Sequence, residues 1–354
     1  MYSTNQFSGS SPLGPDFAAL AEFVYTTGES PGFSRRRRGK GMQFLDCAGN
    51  TISDPTMIAR IRSLGIPPAW TNVWICPNPD GHLQATGFDA RGRKQYRYHP
   101  RWTEVRDEAK FSRLVDFSQA LPSLREQVKS DLRRRSLNQE RVVASVIWLL
   151  DNTMIRIGNA AYSRQNKSFG LTTLRDRHVK IEGDRLRFVF RGKAGKDWNV
   201  QLVDRRMARL VRSVQELPGQ DLFQYLDADG NRHKVQSQEI NDYIRNVIGA
   251  DFTAKYFRTW GGTTRALSLF AETPLPETKR EQVRISNSLI DQVANHLGNT
   301  RTICRKCYIH PGIPTSWTAG TLAEELESQR ADHATGLDLE EALTQQWLVR
   351  QLNA

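Results

Sequence analysis

The fold is decided by the stretch Val142-Val143-Ala144-Ser145-Val146-Ile147-Trp148-Leu149-Leu150, which is apolar on nearly every side. A helix without a polar face has to be buried, so this stretch predicts a helix at the centre of a domain. Helical periodicity around it predicts further helices at 105–121, 124–135, 206–217, 237–247, 264–271 and 285–297. The acidic stretch 322–352 is also predicted to be helical, and it either packs on its own domain or covers a basic surface.

A small β element interrupts the helical region. Strands are predicted at 179–181, 186–190 and 198–203, and the turn Glu182-Gly183-Asp184 joins the first two. The region therefore predicts a mainly helical domain that carries a small sheet.

Upstream of Trp102 the pattern changes to short strands broken by turns. Residues 82–88 and 94–99 flank the Gly-bearing turn Asp89-Ala90-Arg91-Gly92 and predict a hairpin. A short helix is predicted at 55–64. This region therefore predicts a second, β-rich domain.

With 354 residues the chain is long enough for two domains, each with its own core. The fold class we expect is α+β. Its parts are a flexible tail at 1–20, a small β-rich N-terminal domain at 21–104 and a larger, mainly helical domain at 105–354.

The charge and composition favour some partners and locations over others. A net charge of +12 favours a polyanionic partner, with nucleic acid first and an anionic membrane second. No apolar run approaches the roughly 20 residues that span a bilayer, and Met1-Tyr2-Ser3-Thr4-Asn5-Gln6 is not the start of a secretory signal. Four cysteines do not indicate a disulfide framework. We therefore expect a soluble, cytoplasmic protein.

Arg35-Arg36-Arg37-Arg38 is a run of like charges. Such a run is either a solvated loop or a loop that contacts phosphates. The sequence leaves both interpretations open.

Four motifs further along the chain belong together. They are Met154-Ile155-Arg156-Ile157-Gly158-Asn159, Phe190-Arg191-Gly192-Lys193, Lys255-Tyr256-Phe257-Arg258-Thr259-Trp260-Gly261-Gly262 and Gly298-Asn299-Thr300-Arg301-Thr302-Ile303-Cys304-Arg305-Lys306-Cys307-Tyr308. Two arginines, a lysine, a polar residue nine before a tyrosine, and that tyrosine, in this order, resemble the active site of type IB DNA topoisomerases. The short, poxvirus-type form of viruses and bacteria is the most similar, and the resemblance runs from about 43 to 312.

The resemblance implies one catalytic role for each of five residues. Tyr308 would be the nucleophile that forms a 3′-phosphotyrosyl bond, and Lys193 the general acid for the leaving oxygen. Arg156 and Arg258 would contact the scissile phosphate, which suits the planar, permanently charged guanidinium. Asn299 stands where family members carry histidine or asparagine. The implied activity is relaxation of positive and negative supercoils by transient cleavage of one strand, without metal, ATP or another cofactor.

The upstream half resembles the amino-terminal domain of the same family. Gln95-Tyr96-Arg97-Tyr98 matches a strand that enters the major groove, and a β-ribbon fits that groove. Alternation places Tyr96 and Tyr98 on one face, so the tyrosines are the strongest candidates. The further implied DNA contacts are Gln95, Arg93, Lys94 and Tyr162. The whole would be a monomeric clamp on double-stranded DNA, associated with the nucleoid.

Several neighbouring residues are interpreted as not catalytic. His296 lies twelve residues before Tyr308, out of register, and is expected to be structural or to support the site indirectly. Lys196 is expected to be a phosphate contact or a solvated side chain. Cys304 and Cys307 form a CxxC, but a structural zinc site needs a second pair, so no metal site is predicted. Their thiols could make the enzyme sensitive to oxidation, a hypothesis that thiol-specific alkylation tests.

Two alternatives remain. A tyrosine site-specific recombinase shares the chemistry, but it usually has His-x-x-Arg where this chain has Lys255-Tyr256-Phe257-Arg258, and its amino-terminal domain is helical. A non-catalytic DNA-binding protein of the same fold is less favoured, because every proposed catalytic position holds a competent residue.

Overall fold

The structure, a computed structural model, describes residues 22–39, 41–249, 252–327 and 336–353, without the side chains at 106–108, 161–162 and 353. The chain divides into two compact units, Met1–Lys110 and Phe111–Ala354. The tail expected at 1–20 lies outside the described residues. The domain limits 21–104 and 105–354 stay a prediction.

The first unit is built on a five-stranded antiparallel sheet of order β2-β1-β3-β4-β5. Its elements are β1 Phe33–Arg38, β2 Gly41–Leu45, α1 Pro55–Ser63, β3 Thr71–Ile75, β4 Leu83–Phe88 and β5 Lys94–Tyr98. Helix α1 covers the sheet, and Ile61 from the helix packs with Val73, Ile75 and Ala85 from the strands. The helix predicted at 55–64 is confirmed.

The predicted hairpin is strands β4 and β5. They pair antiparallel, with Thr86 opposite Tyr96. The turn closes because the N–H of Asp89 donates to the Arg93 carbonyl at 3.0 Å and the Asp89 carboxylate accepts the N–H of Arg91 at 2.9 Å. An aspartate that bonds its own turn is a standard device of such loops.

The arginine run is a strand, so the loop predicted at Arg35–Arg38 is wrong, whereas a contact of these arginines with phosphates stays a prediction. Strand β1 pairs with β2 on one side and β3 on the other. Arg35 turns back onto the protein and donates to the carbonyl oxygens of Ile66 and Trp70, at 3.1 Å each. The three following arginines are exposed. A charge run is compatible with a strand here because one guanidinium binds carbonyl oxygens that the proline-rich turn leaves unpaired, while the others remain in water.

The second unit is mainly helical and has two small antiparallel sheets, β6-β7-β8 and β9-β10. Its helices are α2 Pro100–Asp131 (begun in the first unit), α3 Gln139–Thr153, α4 Ala160–Asn166, α5 Arg205–Gln215, α6 Ser237–Ile248, α7 Ala254–Ala271, α8 Lys279–His296, α9 Arg301–Cys307, α10 Gly312–Ala319, α11 Leu322–Glu327 and α12 Leu339–Asn353. Its strands are β6 Val179–Glu182, β7 Arg185–Arg191, β8 Asp197–Val203, β9 Gln224–Leu226 and β10 Arg232–Lys234. The α+β class is confirmed.

Helix α3 is the buried helix predicted from 142–150, and only Trp148 within that stretch is not fully buried. It belongs to a core that extends to Trp347 and Leu348 of α12. Arg125 binds Glu341 of α12 at 2.7 Å and Asp151 of α3 at 2.8 Å. The acidic carboxyl-terminal stretch therefore packs on its own domain, as one of the two expectations had it.

Some of the predicted helices differ in extent from the observed ones. Helices expected at 105–121 and 124–135 are one helix, α2, with Pro122 inside it. A proline removes one backbone donor and strains the preceding turn, but Leu121 and Leu124 are both buried and keep the two halves in one core. Helix α7 begins at Ala254 rather than 264, because a buried arginine and two glycines interrupt its apolar pattern.

The predicted strands at 179–203 are confirmed as β6, β7 and β8. Within the described residues, none of the helices is both long and apolar enough to cross a membrane.

Candidate active site

The five predicted catalytic residues all lie in the second unit, each at or near the end of an element. Arg156 follows α3, Lys193 lies in the turn between β7 and β8, Arg258 in α7, Asn299 between α8 and α9, and Tyr308 directly after α9. The structure brings at least four of them into direct contact.

Tyr308 lies at the centre of the cluster and is only 4% exposed. Arg156 donates from Nη1 to the Tyr308 hydroxyl at 3.0 Å and from Nη2 to Asn299 Oδ1 at 2.7 Å. One guanidinium therefore fixes both the phenol and the amide. No acceptor among the described residues reaches the buried Nδ2 of Asn299.

The backbone around Arg156 is held on both sides. Helix α3 ends at Thr153, and the next residue, Met154, has a left-handed φ of 56° and turns the chain out of the helix. The Arg156 carbonyl accepts the N–H of Leu171 at 2.8 Å. A Cβ on Gly170 would lie 2.5 Å from that carbonyl oxygen, so only glycine permits the approach. Arg156 thus points at Tyr308 because the chain leaves α3 in a fixed direction.

Arg258 is buried deeper, at 3% exposure. It donates to the carbonyl oxygens of Met154 and Leu297, the latter at 2.6 Å, and its guanidinium lies 5.2 Å from the Tyr308 ring centre. Its Nε is buried and has no partner among the described residues. Burial, followed by the positive charge of Arg156, lowers the pKa of Arg258 to about 10.

The two arginines change the acidity of the tyrosine. Burial by itself raises the pKa of Tyr308, but the positive charges of Arg156 and Arg258 outweigh it, and the pKa is lowered. A phenol that ionises more readily is a better nucleophile at neutral pH.

The backbone of Tyr308 rests on helix α7. Thr263 Oγ1 donates to the Tyr308 carbonyl at 3.1 Å. A Cβ on Gly262 would lie 2.8 Å from that oxygen and 3.1 Å from the Tyr308 Cβ. Neither Thr263 nor Gly262 was predicted to act at the site. A glycine pair inside a helix was the available signal, since glycine destabilises a helix and usually has a packing or functional reason there.

Lys193 lies in a tight turn of residues 193–195 in which Ala194 has a φ of 61°. The Arg191 carbonyl just before it accepts the N–H of Phe169 at 2.8 Å, which joins the hairpin to the segment after Arg156. Lys193 is exposed as a residue. Partial dehydration of its ammonium group and the nearby charges of Arg156 and Arg258 lower its pKa. A lysine that releases its proton more readily suits general-acid work.

Lys196 and His296 are two neighbours of the site that were predicted not to be catalytic. Lys196 is neither free in solvent nor turned outward, because its Nζ donates to the Asn299 carbonyl at 2.6 Å. His296 lies at the end of α8 with much of its surface exposed, and partial dehydration of its ring and the charges of Arg265 and Arg258 lower its pKa. The supporting role expected for His296 stays a prediction.

The residues predicted to contact DNA in the first unit lie on the β4–β5 hairpin. The rings of Tyr96 and Tyr98 stack at 6.2 Å, which confirms that they share a face. Gln95 and Arg93 both donate to Asp89 Oδ2, at 2.9 and 2.8 Å.

Two further DNA contacts were predicted, Lys94 on the same hairpin and Tyr162 in the second unit. Lys94 Nζ lies 5.8 Å from the centre of the Tyr96 ring. Tyr162 belongs to α4, but its side chain lies outside the described residues. The contacts of these residues with DNA remain a prediction.

The CxxC cysteines are not equivalent. Cys304 is fully buried, and burial raises the pKa of its thiol to about 12. Cys307 is half-buried. No group of three or more His, Cys, Asp or Glu that could hold a metal occurs in the part of the chain that is described. A buried thiol of high pKa reacts slowly, so the oxidation hypothesis now depends on Cys307.

Comparisons with known proteins bear on both units. The family profile described as eukaryotic DNA topoisomerase I, catalytic core, matches residues 99–327, and the profile for the N-terminal domain of bacterial DNA topoisomerase IB matches residues 41–89. DNA topoisomerase 1B of Acanthamoeba polyphaga mimivirus is 34% identical over 263 residues, which covers 71% of this chain and 77% of that protein. DNA topoisomerase 1B of Vaccinia virus (strain Copenhagen) is 24% identical over 228 residues, covering 63% and 68%.

Proposed function

We propose, from the premise that this chain belongs to the type IB DNA topoisomerase family, that it acts through covalent attachment of Tyr308 to DNA. The chain is a type IB DNA topoisomerase, an isomerase that relaxes supercoiled DNA. The family assignment decides against the recombinase and the non-catalytic alternatives. The observation that carries the residue-level proposal is the chain of hydrogen bonds from Tyr308 through Arg156 to Asn299.

Tyr308 is the proposed nucleophile. Its hydroxyl oxygen loses its proton to water and attacks the scissile phosphorus, the bond from phosphorus to the 5′-oxygen breaks, and a 3′-phosphotyrosyl ester forms. The lowered pKa of Tyr308 supports this role. The ester retains the energy of the broken bond, so attack by the free 5′-hydroxyl reseals the strand without ATP.

Arg156, Arg258 and Asn299 are the proposed phosphate ligands. Arg258 Nε and Asn299 Nδ2 are buried donors without protein partners among the described residues. Leaving such a donor unpaired costs about 1–3 kcal/mol, which a phosphate oxygen would recover on binding. Donors fixed before the reaction stabilise the charge of the transition state without reorganisation.

Lys193 is the proposed general acid that protonates the departing 5′-oxygen. Its lowered pKa and its position in the turn beside Arg156 and Arg258 support this role. After rotation of the free strand, the same lysine takes that proton back as the 5′-oxygen attacks.

Double-stranded DNA is the proposed partner, bound by a monomer in the cytoplasm on nucleoid DNA, with no metal or nucleotide cofactor. The hairpin residues Tyr96, Tyr98 and Gln95 would contact base edges, and Arg93 and Lys94 the adjacent backbone. Tyr162 would contact a phosphate in the catalytic unit. Most of the affinity would come from Lys and Arg at phosphates and would therefore fall steeply with salt.

Relaxation of positively and negatively supercoiled plasmid, in EDTA and without ATP, tests this proposal. The natural chain should relax both plasmids and leave a protein adduct at the 3′ end when denatured during the reaction. An adduct at the 5′ end, or relaxation that requires a metal or ATP, would refute the proposed chemistry.

A further inference from the structure

Lys196 makes a contact that none of the proposed catalytic roles uses. Its Nζ donates to the Asn299 carbonyl at 2.6 Å, across 103 residues of sequence. An ammonium donor makes this a charge-assisted bond, stronger than a neutral one. Asn299 is only 8% exposed, so water competes little for its carbonyl. The bond ties the β7–β8 hairpin to the turn that precedes α9.

Trp198 joins the same two segments a second time. A Cβ on Gly298 would lie 2.4 Å from the Trp198 indole, and one on Gly192 would lie 2.6 Å from it. The indole therefore packs against two glycine backbones, one beside Asn299 and one beside Lys193. Phe190 stacks parallel to the indole, with ring centres 5.9 Å apart, and holds it in place.

The turn that carries Lys193 is closed by Lys196 itself. The N–H of Gly192 donates to the Lys196 carbonyl at 2.7 Å, and residues 193–195 form the single turn between them. Lys193 is exposed, so the place of its ammonium group depends on the backbone of this turn. A displacement of Lys196 would move Lys193 with it.

We propose that Lys196 is a positioning residue, which sets the general acid Lys193 against the scissile phosphate by fixing the hairpin to Asn299. This inference rests on the proposed roles of Lys193 and Asn299. Loss of the Lys196 ammonium group leaves the nucleophile and Arg156 in place and displaces the proton donor. The step that becomes slower is protonation of the leaving 5′-oxygen.

Two DNA substrates separate this defect from others. In one the scissile bond has its natural 5′-bridging oxygen, and in the other a 5′-bridging sulfur, which leaves without protonation. Under single turnover with saturating DNA, Lys196→Met should cleave the oxygen substrate about tenfold to hundredfold more slowly than the natural chain, the order of loss expected from a shift of about 1 Å. On the sulfur substrate its rate should return to within a few-fold of the natural chain.

Matched variants complete the experiment. Lys180→Met removes an exposed lysine from β6 of the same sheet and should cleave both substrates at the natural rate. Lys196→Arg keeps a cationic donor and should recover most of the rate on oxygen. An equal loss for Lys196→Met on both substrates, or a normal rate with weaker DNA binding, would overturn the inference, the latter making Lys196 a phosphate contact.

Lys193→Ala separately tests the general-acid role of Lys193, on which the inference rests. The sulfur substrate should restore its cleavage, as general-acid catalysis predicts. If Lys193→Ala is not restored, the proposed general acid is wrong. If it is restored while Lys196→Met is not, only the positioning role fails.

Discussion

The active-site pocket, formed by Tyr308, Arg156, Arg258 and Asn299, and the β4–β5 hairpin both carry residues proposed to act on DNA, but these residues are held in opposite ways. In the pocket, Arg258 is buried and bonded to backbone carbonyl oxygens, and Arg156 bridges Tyr308 and Asn299. On the hairpin, Arg93 and Gln95 are half-buried, and both donate to the carboxylate of Asp89. The fold therefore holds the proposed catalytic groups in place before DNA binds, whereas the proposed DNA contacts on the hairpin depend on groups that a phosphate or base can draw away.

This contrast predicts that pocket variants lose rate and hairpin variants lose affinity. The largest effect should come from Tyr308→Phe, which removes one oxygen atom. Cleavage and relaxation should be abolished, because no other group replaces the nucleophile, while the dissociation constant for duplex DNA stays nearly unchanged. Covalent-adduct assays beside binding titrations check this, and a residual adduct would place the nucleophile elsewhere.

Arg156→Ala should give the next largest loss. It removes the hydrogen bond to the Tyr308 hydroxyl and the bond to Asn299 together. Deletion of one preorganised donor typically costs about 2.7–4 kcal/mol, or 10²–10³ in rate, and this variant removes two contacts. Single-turnover cleavage at saturating DNA measures the loss, and a near-natural rate would show that the pocket is not assembled as described.

Gly262→Ala should slow cleavage by an intermediate amount, up to about a hundredfold, because a shift of about 1 Å can cost that much. The added Cβ would press on the Tyr308 carbonyl. Gly261→Ala is the matched control in the same helix, because its Cβ meets the mobile end of the Met154 side chain instead. Equal rates for the two variants would remove Gly262 from the positioning of Tyr308.

Tyr96→Ala should have the smallest effect on chemistry. We expect DNA affinity to fall on the order of tenfold, equivalent to about 1.4 kcal/mol, with the rate at saturating DNA unchanged. Tyr96→Phe keeps the ring stacked on Tyr98 and so distinguishes the contribution of the hydroxyl to DNA affinity from that of the ring. A Tyr96→Ala variant that binds DNA normally and cleaves it slowly would contradict the prediction that hairpin variants lose affinity and pocket variants lose rate.

Secondary-structure elements were predicted correctly where the sequence pattern that specifies them spans only a few neighbouring residues. The β4–β5 hairpin followed from the turn at 89–92 and from alternation, and the central helix from the all-apolar stretch 142–150. The five proposed catalytic residues came from motif order, and four of them meet in the pocket by hydrogen bonds and ring contacts.

What sequence could not predict depends on partners far along the chain. Lys196 looked like a surface lysine because its acceptor is the backbone of Asn299, and a carbonyl leaves no trace in the residue pattern. Arg35 looked like part of a loop because the carbonyl oxygens that it binds follow 31 to 35 residues later. Two helices were predicted at 105–121 and 124–135, but burial of the residues on both sides of Pro122 maintains a single helix.

The central claim is that the pocket is assembled, and Tyr308 activated, before DNA binds. The most direct test is a pH titration of the DNA-free protein labelled with ¹³C at the tyrosine Cζ atoms, followed by NMR for the natural chain and for Tyr308→Phe. Tyr225 and Tyr243 have raised pKa values, so their resonances titrate above the pH range in which Tyr308 is expected to ionise. We predict one resonance that titrates below the ordinary tyrosine pKa of about 10 and is absent from Tyr308→Phe. If the resonance lost in Tyr308→Phe titrates at or above that value, the pocket does not activate its tyrosine without DNA, and the account is contradicted.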